Sequence, residues 1–80
     1  MDVEKQFKTA IADIFNVPLS RLKGSTRYVE DLNAKSMDII AVIAATESKF
    51  GIDAPVQEVR QLKTIKQSVD YIKKKMKEKK

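Results

Sequence analysis

Apolar residues in this chain recur at intervals of three and four, and no segment alternates apolar with polar residues as a strand would. A chain patterned this way buries its apolar surface as helices packed on helices. Val3, Phe7, Ile11, Ile14 and Phe15 form the first stripe, with Asp2 placed to cap it and Val17-Pro18 to end it. Leu19 to Leu32 is less regular, contains Gly24, Ser25 and Thr26, and reads as a long connection with one helical turn near Ser20–Lys23. A second helix is predicted from Ser36 to Phe50, closed by Gly51. Its stripe is Ile39, Val42, Ile43 and Phe50, flanked by Ala44 and Ala45, with Thr46 the odd polar member. Pro55 stands at the first position of a short third helix carrying Val56, Val59 and Leu62. Thr64 to Gln67 has the form of a capping box and opens a last helix with Ile65, Val69, Ile72 and Met76 on one face. The expectation is an all-α, four-helix bundle of three longer helices and a short third.

The residues that are missing narrow the chemistry. Without His or Cys, the usual general base, the usual nucleophilic pairings and nearly all transition-metal sites are absent. The Asp and Glu residues show no spacing that marks a metal cage or an acid–base pair, and Gly24 and Gly51 cannot form a phosphate-cradling loop. Eighty residues make one small domain with little apolar surface to spare for a large cavity. Binding, carrying or scaffolding fits such a chain better than catalysis. The opening residues lack the apolar run of a signal peptide and no stretch reaches spanning length, so a cytoplasmic protein, monomeric by default, is expected.

The net charge of +5 invites a nucleic-acid reading, but its location does not favour one. From Lys73 to Lys80 there are six lysines and one glutamate; removing them from the chain's 16 basic and 11 acidic groups leaves ten of each. The basicity belongs to the end of the chain, where cations suit a helix C-terminus. The expected division is a domain over residues 1–73 and a Lys-rich tail over 74–80.

The informative stretch runs from Tyr28 to Asp38, reading Tyr-Val-Glu-Asp-Leu-Asn-Ala-Lys-Ser-Met-Asp. Ser36 sits where the second helix begins, and two roles are open to it there. Serine is a favoured N-cap. Its hydroxyl is also a possible site of covalent attachment, since a phosphodiester there would meet the positive end of the helix and its unpaired N–H groups. Physics alone does not choose between them.

Glu30 to Asp38 resembles the acyl carrier protein signature, commonly Glu-Asp-Leu-Gly-Ala-Asp-Ser-Leu-Asp. The likeness continues in Tyr28-Val29, in Glu47-Ser48-Lys49-Phe50-Gly51-Ile52 and in Val69-Asp70-Tyr71-Ile72, covering roughly residues 3 to 73. The resemblance implies a four-helix carrier fold and a 4'-phosphopantetheine arm, transferred from coenzyme A to Ser36 by a phosphopantetheinyl transferase. The reactive thiol then belongs to the prosthetic group, while the protein supplies position and recognition. Acyltransferases, synthases or ligases would be the partners and an acyl chain the cargo. Ile39, Ile43, Thr46, Leu62, Ile65 and Val69 would wall the acyl pocket; read singly, each is equally an ordinary core residue. Lys35, Met37, Asp38, Ala41 and Glu47 would form the partner-recognition face.

The chain departs from the family at Lys35, Ala41, Ser48 and Lys49, positions often acidic in it, and at Asn33, where glycine is common. Asparagine tolerates the left-handed conformation that glycine would supply. Lys35 reverses the charge beside the serine, weakening steering toward a basic partner and offering an ammonium to a phosphodiester. Two pathways are compatible with this surface: general fatty acid synthesis, or a dedicated one such as an envelope lipid (lipid A), a polyketide or an aminoacyl intermediate. Three rival functions stand beside the carrier: an interaction module with the same fold and no arm, a small nucleic-acid-binding domain, and a Lys-rich amphipathic membrane helix.

Overall fold

The computed structural model describes residues 2–78. Among them lie helices α1 (Val3–Phe15), α2 (Ser36–Phe50), α3 (Val56–Val59) and α4 (Ile65–Glu78), with a single 3-10 turn at Leu19–Arg21. Three are long and the third is short, so the fold is the expected all-α bundle.

Local chemistry sets most boundaries. The Asp2 carboxylate accepts from the Lys5 N–H at 3.1 Å and caps α1. The helix ends one residue earlier than the proline argument implies, because Asn16 turns into the left-handed region at φ 56° and closes it. Gly51 closes α2 in the same way, at φ 64°, its N–H donating to the Glu47 carbonyl at 2.9 Å. Pro55 falls just outside α3, as its N-cap, and Leu62 lies beyond the end of that helix. At α4, the Thr64 hydroxyl accepts from the Gln67 N–H at 3.2 Å. The Gln67 amide reaches past the cap to the Lys63 N–H at 2.6 Å. Residues 74–78 of the Lys-rich end continue α4, while Lys79 and Lys80 fall outside the described residues.

Phe7, Ile11, Ile65 and Ile72 are the largest fully enclosed side chains, so α1 and α4 meet at the centre of the core. Val42 and Phe50 of α2 close it from one side, and Leu22, Tyr28 and Ile52 from the connections. Met76 and Ile14 pack at its margin.

The long connection is tied to the start of α4. Arg27 and Thr64 form an isolated antiparallel bridge. The Tyr28 N–H donates to the Lys63 carbonyl, and the Ile65 N–H donates to the Thr26 carbonyl, both at 3.1 Å. Through these bonds α4 holds the segment that leads into Ser36.

Candidate functional site

The approach to α2 is a sequence of turns with their own hydrogen bonds. The Asp31 carboxylate accepts from the Arg27 N–H at 2.8 Å and pairs with its guanidinium at 3.3 Å. These bonds hold the Asp31 carboxyl below the usual aspartate range, the backbone N–H bond contributing most. Asn33 adopts φ 55°, the left-handed turn expected where glycine is common, and its N–H donates to the Val29 carbonyl at 3.1 Å. Ala34 donates to the Tyr28 carbonyl at 2.9 Å, and the chain then runs extended through Lys35 into the helix.

Tyr28 anchors this loop to the body of the protein. Only 4 % exposed, it donates from its hydroxyl to the Ser68 hydroxyl at 2.6 Å, and Ser68 in turn donates to the Thr64 carbonyl at 3.2 Å. Burial raises the Tyr28 pKa well above the ordinary tyrosine value, and the bond to Ser68 opposes that rise without reversing it.

Ser36 is the first residue of α2, and Lys35 holds the cap position. Capping therefore does not account for the serine. A lysine side chain has no acceptor to offer a helix N-terminus. Asp38 compensates by reaching back, its carboxylate accepting from the Lys35 N–H at 2.9 Å. Ser36 is exposed, and its hydroxyl makes no hydrogen bond among the described residues. The N–H groups of Ser36, Met37 and Asp38 belong to the first helical turn, which has no preceding carbonyls to bond. A nucleophilic hydroxyl thus stands free at the positive end of a fifteen-residue helix, beside an exposed lysine.

The residues expected to face partners are spread along α2. Lys35 and Met37 are exposed, Met37 to 82 %, while Asp38 and Ala41 are half-buried. Glu47 is exposed, yet its carboxylate accepts from the Ala54 N–H at 2.9 Å and so fastens the α2–α3 loop. Pattern reading missed Ile40, which is 62 % exposed one turn from Met37.

A narrow cleft opens between α2, α3 and α4. Ile43, Thr46 and Leu62 line it, joined by Phe7, Ala54, Val59 and Tyr71, and its cavity volume is about 20 Å³. Ile39, Ile65 and Val69 do not border it. Ile65 and Val69 are buried on the side of α4 that faces Gly24 and α1, one helical stripe away from Ser68, Tyr71 and Ile72. Ile39 is half-buried nearer the start of α2. The cleft's outer edge carries a polar cluster. The Tyr71 hydroxyl donates to the Glu58 carboxylate at 2.6 Å, and Lys75 pairs with the same carboxylate at 3.2 Å. These bonds lower the Glu58 pKa, the Tyr71 bond first, and fasten α3 to α4.

Comparison with known proteins matches this arrangement. Residues 5–72 fit the family described as the phosphopantetheine attachment site. The acyl carrier protein of Helicobacter hepaticus is 36 % identical over 72 residues, covering 90 % of this chain and 95 % of the relative. That of Buchnera aphidicola subsp. Schizaphis graminum is 34 % identical over 71 residues, covering 89 % and 90 %.

Proposed function

The chain belongs to the phosphopantetheine attachment-site family, and on that premise we propose that it is an acyl carrier whose Ser36 receives the prosthetic group. The observation that carries the choice of Ser36 is its free, exposed hydroxyl on the first residue of α2, inside the stretch that resembles the carrier signature. In the transfer, Ser36 Oγ attacks the pyrophosphate of coenzyme A. An Oγ–P bond forms, the P–O bond to the adenosine bisphosphate leaving group breaks, and the hydroxyl proton passes to the transferase or solvent. The first-turn N–H groups of α2 and the Lys35 ammonium are the groups of this chain that would hold the diester charge. When attached, the arm supplies a terminal thiol that carries acyl groups as thioesters.

The rest of the reading concerns what this chain does around that thiol. The loop from Arg27 to Lys35, held by Asp31 and Tyr28, fixes where the arm departs. Met37 and Ile40 give the neighbouring surface of α2 an apolar character on which partner enzymes dock, so recognition here leans on apolar contact more than on a row of carboxylates. The cleft beside α3 shelters cargo between visits. The chemistry belongs to the partners, in keeping with the lack of His and Cys. Among the described residues no helix is long and apolar enough to cross a membrane, and we place the carrier in the cytoplasm. The division we favour for the sequence is a carrier domain over 1–73 and a Lys-rich end over 74–80, with the described part of that end, 74–78, continuing α4 and adding Met76 to the core margin.

Intact mass after incubation with coenzyme A, Mg²⁺ and a broad-specificity phosphopantetheinyl transferase tests the assignment. The parent is expected to gain one arm and Ser36→Ala none. Because Ser36 neither caps the helix nor bonds to a neighbour, the alanine variant is expected to keep its stability within about 0.5 kcal/mol. Loading of the alanine variant would move the site elsewhere. An unloaded parent that Lys35→Asp does not rescue would make the protein an armless module.

A further inference from the structure

Charge is distributed unevenly over this fold. Residues 63–78, the turn before α4 and the helix itself, carry six lysines against Asp70 and Glu78. Residues 25–62, which hold α2 and α3, carry four basic groups against six acidic ones. The lysines of α4 also differ from one another. Lys66 pairs with Asp70 at 3.0 Å, while Lys75 pairs with Glu58 and lies over the Tyr71 ring, 5.5 Å from its centre. Lys73, Lys74 and Lys77 are exposed and have no carboxylate partner among the described residues. Lys66, Lys73 and Lys77 stand seven and four residues apart, so they fall on one line along the helix, with Lys74 beside it. Lys66 and Lys73 border a groove with Gly24 and Glu4, which turns this line toward the first connection, where Arg21 and Lys23 are exposed as well.

The helix dipole accounts for cations in the last turn, Lys75 and Lys77, but its effect does not extend to Lys73 and Lys74. Ile65, Val69 and Ile72 are buried in the core, so α4 has no apolar face left to insert into a bilayer. The lysine side also lacks the apolar anchor of a protein interface, since Met76 packs on the core margin. No aromatic residue stands between Lys73 and Lys77 to stack a base. Separate point charges on a convex helix suit an extended anionic surface that needs no register, as lipid headgroups provide. The position agrees with this. Lys75 and Glu78 border a crevice with Gly51, Ile52 and Asp53, which places the end of α4 by the C-terminal end of α2. Ser36 opens that fifteen-residue helix, about 22 Å away along its axis, so a surface held by the end of α4 leaves the serine uncovered.

We propose that the lysine face of α4 docks the folded protein on an anionic lipid bilayer surface, electrostatically and without insertion. The test uses the full, unloaded chain and sedimentation with vesicles of phosphatidylcholine alone or mixed in equal parts with phosphatidylglycerol. The protein is expected to sediment with the anionic vesicles at about 0.15 M ionic strength, where charges act over about 8 Å. It should come off at about 1 M, where they act over about 3 Å. Each lysine held near such a surface strengthens binding about fivefold, so Lys73→Gln/Lys77→Gln should weaken it about 25-fold. Lys49→Gln/Arg60→Gln removes the same charge from the α2–α3 side and should weaken it less than about fivefold. All four positions are exposed and glutamine is a good helix former, so the fold is kept. Equal weakening by the two variants, sedimentation with phosphatidylcholine alone, or no sedimentation with the anionic vesicles at the lower salt would overturn the inference. So would retention on immobilised polyglutamate or single-stranded RNA at salt that releases the vesicles, which gives the face to an acidic protein or a nucleic acid. None of these outcomes touches the loading of Ser36, which has its own test.

Discussion

The hydrogen bond between Tyr28 and Ser68 is a buried side-chain link between the loop that leads to Ser36 and α4, and its worth can be worked from its surroundings. Tyr28→Phe removes one buried O–H···O bond and leaves Ser68 bonded to the Thr64 carbonyl, a loss of about 1 kcal/mol. Ser68→Ala is the harsher change, because it strands the phenol hydroxyl in a site that is 4 % exposed, at about 2 kcal/mol. Alanine's better helix propensity returns about 0.5 kcal/mol of that. The double variant Tyr28→Phe/Ser68→Ala replaces both partners with apolar groups and strands nothing, so about 1 kcal/mol is expected in total. The two single effects sum to about 2.5 kcal/mol, giving a coupling of about 1.5 kcal/mol. Urea unfolding followed by helical circular dichroism measures all four proteins. In thermal melts each kcal/mol corresponds to about 4–8 °C for a domain of this size. Additivity within about 0.5 kcal/mol would refute the reasoning, for it would mean the phenol finds another partner or water once Ser68 is gone.

Alkaline titration tests the same anchor: the folded-state pKa of Tyr28 lies above the ordinary value of 10.0, so its contribution is complete below pH 10 and is lost as the pH climbs toward the folded value. The parent should therefore lose more urea resistance above pH 10 than Tyr28→Phe does, in paired unfolding curves. Asp31 works in the opposite sense, since its folded pKa lies below 3.8; the stability it supplies is present above that value and lost as the pH falls through the folded one, a loss absent in Asp31→Asn melts. Asn33→Val should lower the melting midpoint by forcing a β-branched residue to φ 55°, whereas Asn33→Gly should leave it close to the parent. Phe50→Ala should cost about 3–5 kcal/mol, because the ring is 7 % exposed, and an unchanged melting midpoint would contradict its place in the core.

The helices were legible because their stripes and end signals agree. Asp2, Gly51 and Thr64 mark ends where side-chain or glycine chemistry favours an end, and α1 and α4 have one apolar face each. What pattern reading passed over lies between the helices. Leu22, Thr26 and Tyr28 are buried in the connection read as irregular, where Gly24, Thr26 and Tyr28 find backbone partners among Lys63 to Lys66, some forty residues away. Periodicity sees neighbours three and four residues apart and is blind to such pairings. Ser68 did carry a signal, since it falls between Ile65, Val69 and Ile72 on the apolar face of α4, and a polar residue in that position needs a buried partner.

For α2 the difficulty was of another kind. Its core side holds Val42, Thr46 and Phe50, yet Met37 and Ile40 are apolar and face outward. A helix that is apolar on two sides has no single stripe from which an inward direction can be read. That ambiguity groups Ile39, which lies off the cleft, with Ile43, which lines it, and passes over Ile40, which is among the most exposed apolar residues described. The two apolar sides have different work in a carrier. One closes the core and borders the α3–α4 cleft; the other stays in water beside Ser36, where Met37 and Ile40 supply the apolar contact proposed for docking. Thr46 on the first and Met37 on the second break the local pattern for opposite reasons.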